Sequence, residues 1–175
     1  MRSTVRSLRP CEAWFSRLVL GPLLVVLIAG CSDDASRESG GVDDHHARVT
    51  KVTDGDTLHL GGLGPVRLIG IDTPEVYGGV ECFGREASAF ARRLLPLGTR
   101  VRYRVGVEER DRYGRLLAYV WLPDGRMFNR VMVRAGYAQM LTIPPNVAFA
   151  DSFRRAARAA REAGRGLWRA CSGTG

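Results

Sequence analysis

The sequence has few residues that bind transition metals or act as nucleophiles. It contains four cysteines and three histidines, and among the histidines only His59 lies beyond residue 46, in a strand-like alternating pattern. This scarcity argues against zinc, which proteins bind mainly through histidine and cysteine. It also argues against a catalytic cysteine, because such a thiolate needs a neighbouring base.

Long apolar runs are also lacking. The apolar run Leu18–Ala29 has 12 residues, whereas a transmembrane helix needs about 20. Because arginines precede this run, residues 1–30 are predicted to be a signal peptide. The run ends in "LIAGC", which resembles the lipobox of bacterial lipoproteins and predicts lipidation of Cys31. The protein is then exported and anchored to the cell membrane or outer membrane; the alternative is ordinary cleavage near Gly30.

Charge is divided unevenly along the rest of the chain. Residues 31–46 are acidic and polar and predict a flexible tether, which also accounts for His45 and His46 more simply than a metal site. Residues 47–175 hold 21 Lys+Arg against 12 Asp+Glu, a net charge of 21 − 12 = +9. This length predicts one compact domain, and its charge favours polyanions such as nucleic acid or an anionic lipid surface.

Two cysteines, Cys82 and Cys171, fall in the basic domain. In an exported protein such a pair is most simply a disulfide. A catalytic role for one of them is the alternative.

The periodicity of the domain predicts five strands and three helices. Alternation indicates strands, and apolar residues at helical spacing indicate helices. The order βββ-α-ββ-α-α is that of an OB-fold, a five-stranded barrel in the α+β class. The predicted strands are 47–53, 57–60, 66–71, 99–107 and 116–122, and the predicted helices are 84–95, 127–135 and 147–163.

A first pair of motifs carries acidic residues. In "DGDT", Asp54 and Gly55 fit a hairpin turn, but Asp56 adds a carboxylate that a turn does not need. If the second and third strands pair, Asp72 approaches Asp56 from the end of the third strand. Two carboxylates and a backbone carbonyl suit Ca²⁺, a hard cation that binds oxygen.

Two further features admit a structural interpretation. Thr73 and Pro74 in "IDTPE" fit the start of a helix, and "DRYGR", residues 111–115, fits a charged turn before a strand. If Arg67 and Arg115 meet, however, their guanidiniums can hold a phosphodiester through paired hydrogen bonds.

The motifs "DGDT", "RLIGIDTPE", "GREASAF", "DRYGRLLAYV" and "GLW" occur in this order and together closely resemble the staphylococcal nuclease, or thermonuclease, family over about residues 47–169. The resemblance implies an OB-fold that hydrolyses DNA and RNA with Ca²⁺, leaving 5′-hydroxyl and 3′-phosphate ends. It also implies a monomer that prefers single-stranded or locally open substrates.

The resemblance assigns roles residue by residue. It implies that Asp56 and Asp72 bind Ca²⁺ through their carboxylates and Thr73 through its backbone carbonyl. It makes Glu75 the candidate general base, which either positions or deprotonates the attacking water.

The same resemblance assigns the basic residues to the substrate. Arg67 and Arg115 are expected to contact the scissile phosphate, and Arg112 and Tyr113 a neighbouring one. The sequence departs from the family after Glu75, where the loop "VYGGVEC" lacks lysines, and in "YAQMLTIPPN", where Thr142 and Ile143 replace the tyrosines of some members. These changes predict base stacking that is weaker or differently arranged.

Two other functions fit parts of the sequence. A non-catalytic OB-fold lipoprotein that binds nucleic acid would need the basic face but no acidic cluster, and a structural lipoprotein would need neither. The joint presence of both clusters favours the nuclease.

Overall fold

The computed structural model describes residues 44–172. Five strands form a closed barrel in the order β1-β2-β3-β6-β5, and two short strands, β4 and β7, pair beside it. The predicted five-stranded OB-type barrel is therefore confirmed. The predicted signal peptide, the predicted lipidation site Cys31 and most of the predicted tether lie outside the described residues. The strands are β1 His45–Val52, β2 Thr57–Leu60, β3 Gly64–Leu68, β4 Ile71–Asp72, β5 Arg100–Arg110, β6 Leu116–Trp121 and β7 Gln139–Met140, and the helices are α1 Gly84–Leu94, α2 Phe128–Arg134, α3 Ala150–Glu162 and α4 Leu167–Ala170.

The barrel interior is built by alternate strand residues, as period-two patterning predicts. Leu58 and Leu60 of β2 and Val66 and Leu68 of β3 are almost fully buried. Helix α3 covers the core with apolar residues at helical spacing, and its phenylalanine Phe153 is 1% exposed. The first three strands form the expected antiparallel meander, whereas β3 and β6 pair in parallel.

The third strand is shorter than predicted. Instead of running over residues 66–71, it ends at Leu68, and the chain turns at Gly70, whose φ is +82°. The chain then re-enters a second sheet, in which Ile71 and Asp72 pair with β7. Glycine is needed at this position because a Cβ would lie 2.2 Å from the Phe153 ring. The turn redirects the chain so that Arg67 contacts both Asp72 and Asp56, the residue that directly precedes β2.

We expect Gly70→Ala to reduce the free energy of unfolding by about 3 kcal/mol, since it combines a left-handed backbone with an overpacked neighbour. Gly62→Ala is a matched control, because Gly62 has φ +80° but no atom within 4 Å of the added Cβ. We expect Gly62→Ala to lower the free energy of unfolding by about 1 kcal/mol, because only the left-handed backbone conformation opposes this substitution. Urea unfolding of both variants measures the difference, and equal losses would contradict the packing argument.

The outer boundaries also differ from the prediction. Strand β1 begins at His45, within the segment interpreted as a tether, because His45 and His46 pair with Tyr103 and Arg102 of β5. Strand β5 continues to Arg110, beyond the predicted end at residue 107, because its far end rejoins β6 after a register shift. A fourth helix, the single turn α4, follows the three predicted ones.

A disulfide joins Cys82 to Cys171, with 5.9 Å between the Cα atoms. This is the pairing that the sequence predicts. The bond links the residue two positions before α1 to the residue that follows α4.

No helix within residues 44–172 has the length and apolar character needed to cross a bilayer.

Candidate active site

The turn between β1 and β2 separates the roles of its two aspartates. Asp54 Oδ1 accepts hydrogen bonds from the backbone N–H groups of Asp56 and Thr57, at 3.1 and 2.7 Å. The Thr53 N–H also donates to the Thr57 carbonyl. Asp54 therefore stabilises the turn, as expected for an aspartate at this position. The Asp56 side chain is not needed for these turn hydrogen bonds.

The Asp56 carboxylate is buried and oriented toward β4. Its Oδ2 accepts hydrogen bonds from the backbone N–H and the hydroxyl of Thr73, at 2.8 and 3.0 Å. The Thr57 hydroxyl donates to Oδ1 at 3.1 Å. Gly55 permits this approach, because a Cβ there would lie 2.5 Å from the Thr73 side chain. The structure thus brings "DGDT" and "IDTPE" into contact, as the sequence analysis expects.

Arg67 connects the two predicted metal-binding carboxylates. Its Nη2 donates to Asp72 Oδ1 at 2.6 Å, and its Nε lies 3.3 Å from Asp56 Oδ1. Its Nη1 donates to the carbonyls of Leu68 and Ile71, at 3.0 and 2.7 Å. This guanidinium is therefore held by the turn at Gly70, and it positions both carboxylates.

The acidic groups in this cluster repel one another. Burial raises the pKa of Asp54, and the nearby Asp56 carboxylate adds to the rise. Burial likewise raises the pKa of Asp72; Arg67 opposes the rise, whereas Asp56 and Glu81 strengthen it. One guanidinium thus compensates several carboxylates only in part, an arrangement that favours a bound cation.

Glu75 lies on an exposed loop that is closed by Glu81. The Glu75 N–H donates to Glu81 Oε2 at 3.0 Å, and the Glu81 N–H donates to the Glu75 carbonyl at 2.9 Å. Gly84 packs closely against the loop closed by these two hydrogen bonds, since a Cβ there would lie 2.5 Å from the Glu75 carbonyl oxygen. The Glu75 carboxylate itself has no hydrogen bond or ion pair with any residue of the described range. Hydrogen bonds thus fix the loop backbone, and the Glu75 carboxylate remains available to interact with water or a ligand.

A cleft of about 470 Å³ lies next to this cluster, and both Arg67 and Arg115 line it. The parallel pairing of β3 with β6 explains their meeting. Arg67 pairs with Leu117, and Arg115 precedes Leu117 by two residues and so lies on the same face, about 7 Å along the strand. The structure therefore unites the two predicted phosphate contacts.

Arg115 lines the cleft with part of its guanidinium free of hydrogen bonds. Its Nε donates to Asp111 Oδ2 at 2.7 Å, and its Nη atoms have no hydrogen bond or ion pair among residues 44–172. Partial burial opposes ionisation of Asp111, but hydrogen bonds from Arg115 and from backbone amides hold its pKa below the usual value. The guanidiniums of Arg112 and Arg115 lie 4.8 and 5.4 Å from the centre of the exposed Tyr113 ring. "DRYGR" is thus an ordered turn that also places two guanidiniums in the cleft wall.

Comparison with known proteins gives a consistent result. A family model described as "Staphylococcal nuclease homologue" matches residues 65–170. The chain is 32% identical over 160 residues to the thermonuclease of Staphylococcus hyicus and 35% identical over 160 residues to that of Staphylococcus intermedius, covering 86% of this chain and 94% of each relative. It is also 32% identical over 139 residues to endonuclease YhcR of Bacillus subtilis, covering 71% of this chain but 11% of that protein.

The chain belongs to the staphylococcal nuclease family. The range matched by the family model includes the "IDTPE" and "DRYGR" motifs and Cys82, whereas Asp56 lies before its first residue and Cys171 directly follows its last. Geometry, rather than the family model, therefore connects Asp56 to the cluster.

In this staphylococcal nuclease homologue, two residues that the sequence analysis overlooked support the site. Glu81 closes the Glu75 loop, and Asn146 lies in the cleft wall. The Asn146 side chain accepts from the Glu108 N–H at 3.1 Å and donates to the Glu108 carbonyl at 2.9 Å. No local motif marks either residue, because each acts on a distant backbone. Of the two residues that replace the tyrosines of some family members, Ile143 lines the cleft, and Thr142 does not.

Proposed function

We propose that this protein is a calcium-dependent nuclease that hydrolyses phosphodiester bonds of DNA and RNA, leaving 5′-hydroxyl and 3′-phosphate ends. The observation that carries the proposal is one cleft where Arg67 and Arg115 converge beside the buried Asp56 and the adjacent Asp72. Family membership supports it, since two relatives are named thermonuclease and a third endonuclease.

The donor set fits calcium better than a softer metal. Asp56 and Asp72 supply carboxylate oxygens, and the Thr73 carbonyl would add a third ligand with water completing the shell. Within residues 44–172, no three side chains of histidine, cysteine, aspartate or glutamate converge as a metal-binding group. The proposed site therefore depends on backbone and water oxygens as well. When bound, Ca²⁺ would add positive charge beside the phosphate.

The arginines account for substrate binding and charge stabilisation. Four Nη N–H bonds of Arg115 are available to phosphate oxygens in the cleft, and a guanidinium keeps its charge at any working pH. Charge grows on these oxygens as water adds to phosphorus, so fixed donors stabilise the transition state more than the substrate. Arg67 assists at the same phosphate while it fixes the carboxylates. Arg112 and Tyr113 would contact the next phosphate along the strand.

Glu75 is the proposed base. Its carboxylate is exposed, unpaired within the described range and borne on a loop whose backbone is held at both ends by Glu81. It would take a proton from the attacking water as the new oxygen–phosphorus bond forms. The bond from phosphorus to the 5′ oxygen then breaks, and that oxygen takes a proton from solvent water to become a hydroxyl. The phosphate stays on the 3′ side.

Digestion of single-stranded DNA and RNA by the purified protein tests the function. We expect digestion with added Ca²⁺, its loss with a calcium chelator and its recovery when excess Ca²⁺ is restored. The new 5′ ends should accept phosphate from a polynucleotide kinase without prior phosphatase treatment.

Each arm can contradict one part of the proposal. Unchanged digestion with chelator would refute the calcium assignment, and 5′-phosphorylated products would refute the direction of cleavage. Tight binding without cleavage under all conditions would favour a binding module instead.

A further inference from the structure

A second groove, of about 560 Å³, lies beside α2 and away from the active-site cleft. Four arginines line it, together with Phe90, and no carboxylate does. None of its lining residues also lines the active-site cleft. We refer to it as the arginine groove. Its arginines are Arg126, Arg130, Arg134 and Arg165.

The arginines are brought together by helix geometry and by a close backbone contact. Arg130 and Arg134 are one turn apart on α2, about 6 Å along its axis, so both point to the same side. Arg165 is held at the end of α2, where its Nη1 donates to the Arg134 carbonyl at 3.1 Å. Gly136 allows this approach, since a Cβ there would lie 2.2 Å from the Arg165 carbonyl oxygen. The groove is therefore preformed.

Most of this positive charge is not neutralised within the protein. Arg126 pairs with Asp124 at 2.6 Å. Arg130 donates only to the Ser152 hydroxyl, at 3.4 Å, and the Arg134 side chain has no hydrogen bond or ion pair with any described residue. Like charges in a concave surface repel, so an oxyanion with several acceptor oxygens would relieve the repulsion.

The surroundings favour a phosphate backbone over bases. Phe90 is the aromatic residue in the groove wall, but its ring stacks on Tyr137, with 4.0 Å between centroids. The Arg93 guanidinium lies 5.0 Å from the same ring. A ring covered in this way is not free to stack on a base, so recognition in the groove would depend on charge.

The surroundings also disfavour a membrane surface as the partner. Peripheral membrane binding combines basic residues with exposed apolar side chains that enter the headgroup region. The large exposed apolar residues of the described range include Leu97, Val107 and Val147, and none of this set lines the arginine groove.

We propose that the arginine groove binds backbone phosphates of a second stretch of the nucleic acid whose scissile phosphate occupies the active-site cleft. This inference rests on the proposed function and names a further substrate-binding site for it. The groove would raise the affinity for long strands independently of sequence and leave the chemistry at the cleft unchanged.

The test compares Arg130→Gln/Arg134→Gln with Arg155→Gln/Arg158→Gln in the full chain. The second pair is a matched control, because it removes the same charge from exposed positions of α3 that do not line the groove. Fluorescence anisotropy in the presence of chelator measures binding of an oligothymidylate of about 30 nucleotides, longer than the 4–16 nucleotides one such barrel covers. A labelled thymidine trinucleotide is the short probe.

We expect the groove variant to bind the long strand about tenfold more weakly and to reduce the slope of log K against log salt by about 1.4, for two lost phosphate contacts. Trinucleotide affinity should not change, and the control variant should show less than about a twofold effect. An equal loss in the control, an equal loss with the trinucleotide or no loss at all would overturn the proposal. Loss of binding to phosphatidylserine vesicles without loss of long-strand binding would assign the groove to a membrane instead.

A second readout separates this proposal from the proposed function. Cleavage of a short substrate with Ca²⁺ should be the same in the groove variant and the wild type. If the wild type cleaves nothing but the long-strand difference persists, the proposed nuclease function fails and the binding site stands. If cleavage is normal and the difference is absent, the binding site fails alone.

Discussion

Replacement of Arg115 by glutamine is expected to lower kcat for DNA hydrolysis by about 10²–10³-fold, the usual effect of removing one group that stabilises a developing oxyanion. The Nη groups of Arg115 have no hydrogen bond or ion pair with other described residues, so the substitution removes donors from the cleft without breaking the core. Its partner Asp111 is partly exposed, and loss of such a pair costs about 1 kcal/mol of stability or less. Stopped-flow turnover and urea unfolding measure the two quantities.

Arg100→Gln is the control for net charge, because Arg100 is exposed at the start of β5 and does not line the cleft. A similar loss of kcat in both variants would remove Arg115 from the mechanism. Arg67→Gln cannot separate catalysis from stability as cleanly. It would leave the buried Asp56 without its guanidinium, and breaking one partner of a buried pair costs about 3–5 kcal/mol.

Replacement of Glu75 by glutamine is expected to lower kcat by about 10³-fold, within the range for loss of a general base. Substrate affinity should change little, because the Glu75 side chain has no described partner and its negative charge does not attract phosphate. Single-turnover cleavage and anisotropy binding measure the two effects.

Glu86→Gln on the exposed side of α1 is the control for this change. Near-normal turnover of Glu75→Gln would exclude Glu75 as the base. A loss of kcat in Glu86→Gln as large as that in Glu75→Gln would instead assign the effect to the lost negative charge.

The barrel could be predicted because its determinants are local. Alternation in β2 and β3 and the helical spacing of α1 and α3 each depend on neighbouring residues. The end of β3 could not be predicted, because a glycine inside an apolar run is common and Gly70 acts through its contact with Phe153. The early start of β1 depends on pairing with β5, more than 50 residues away along the chain.

The residue types of the candidate site could be predicted from the sequence, whereas the contacts that connect them could be predicted only in part. The sequence predicts the proximity of Asp56 and Asp72 from paired strands; the structure has both at the Arg67 guanidinium, but it places Asp72 in β4, after the turn at Gly70. The four contacts of the Arg67 guanidinium could not be predicted from the sequence, because three of its partners depend on the turn at Gly70. The arginine groove is hidden for a similar reason: Arg165 lies 31 residues from Arg134, and only the close contact at Gly136 brings them together.

The bond between Cys82 and Cys171 makes most of the domain a covalent ring, since it spans 89 positions of the chain. A protease that cuts one exposed loop inside this ring, such as residues 111–115, therefore releases no fragment. The two pieces stay joined, and the barrel strands on either side of the cut remain close to their partners. A singly nicked molecule would keep its mass, apart from one added water, and would separate into two chains only after reduction.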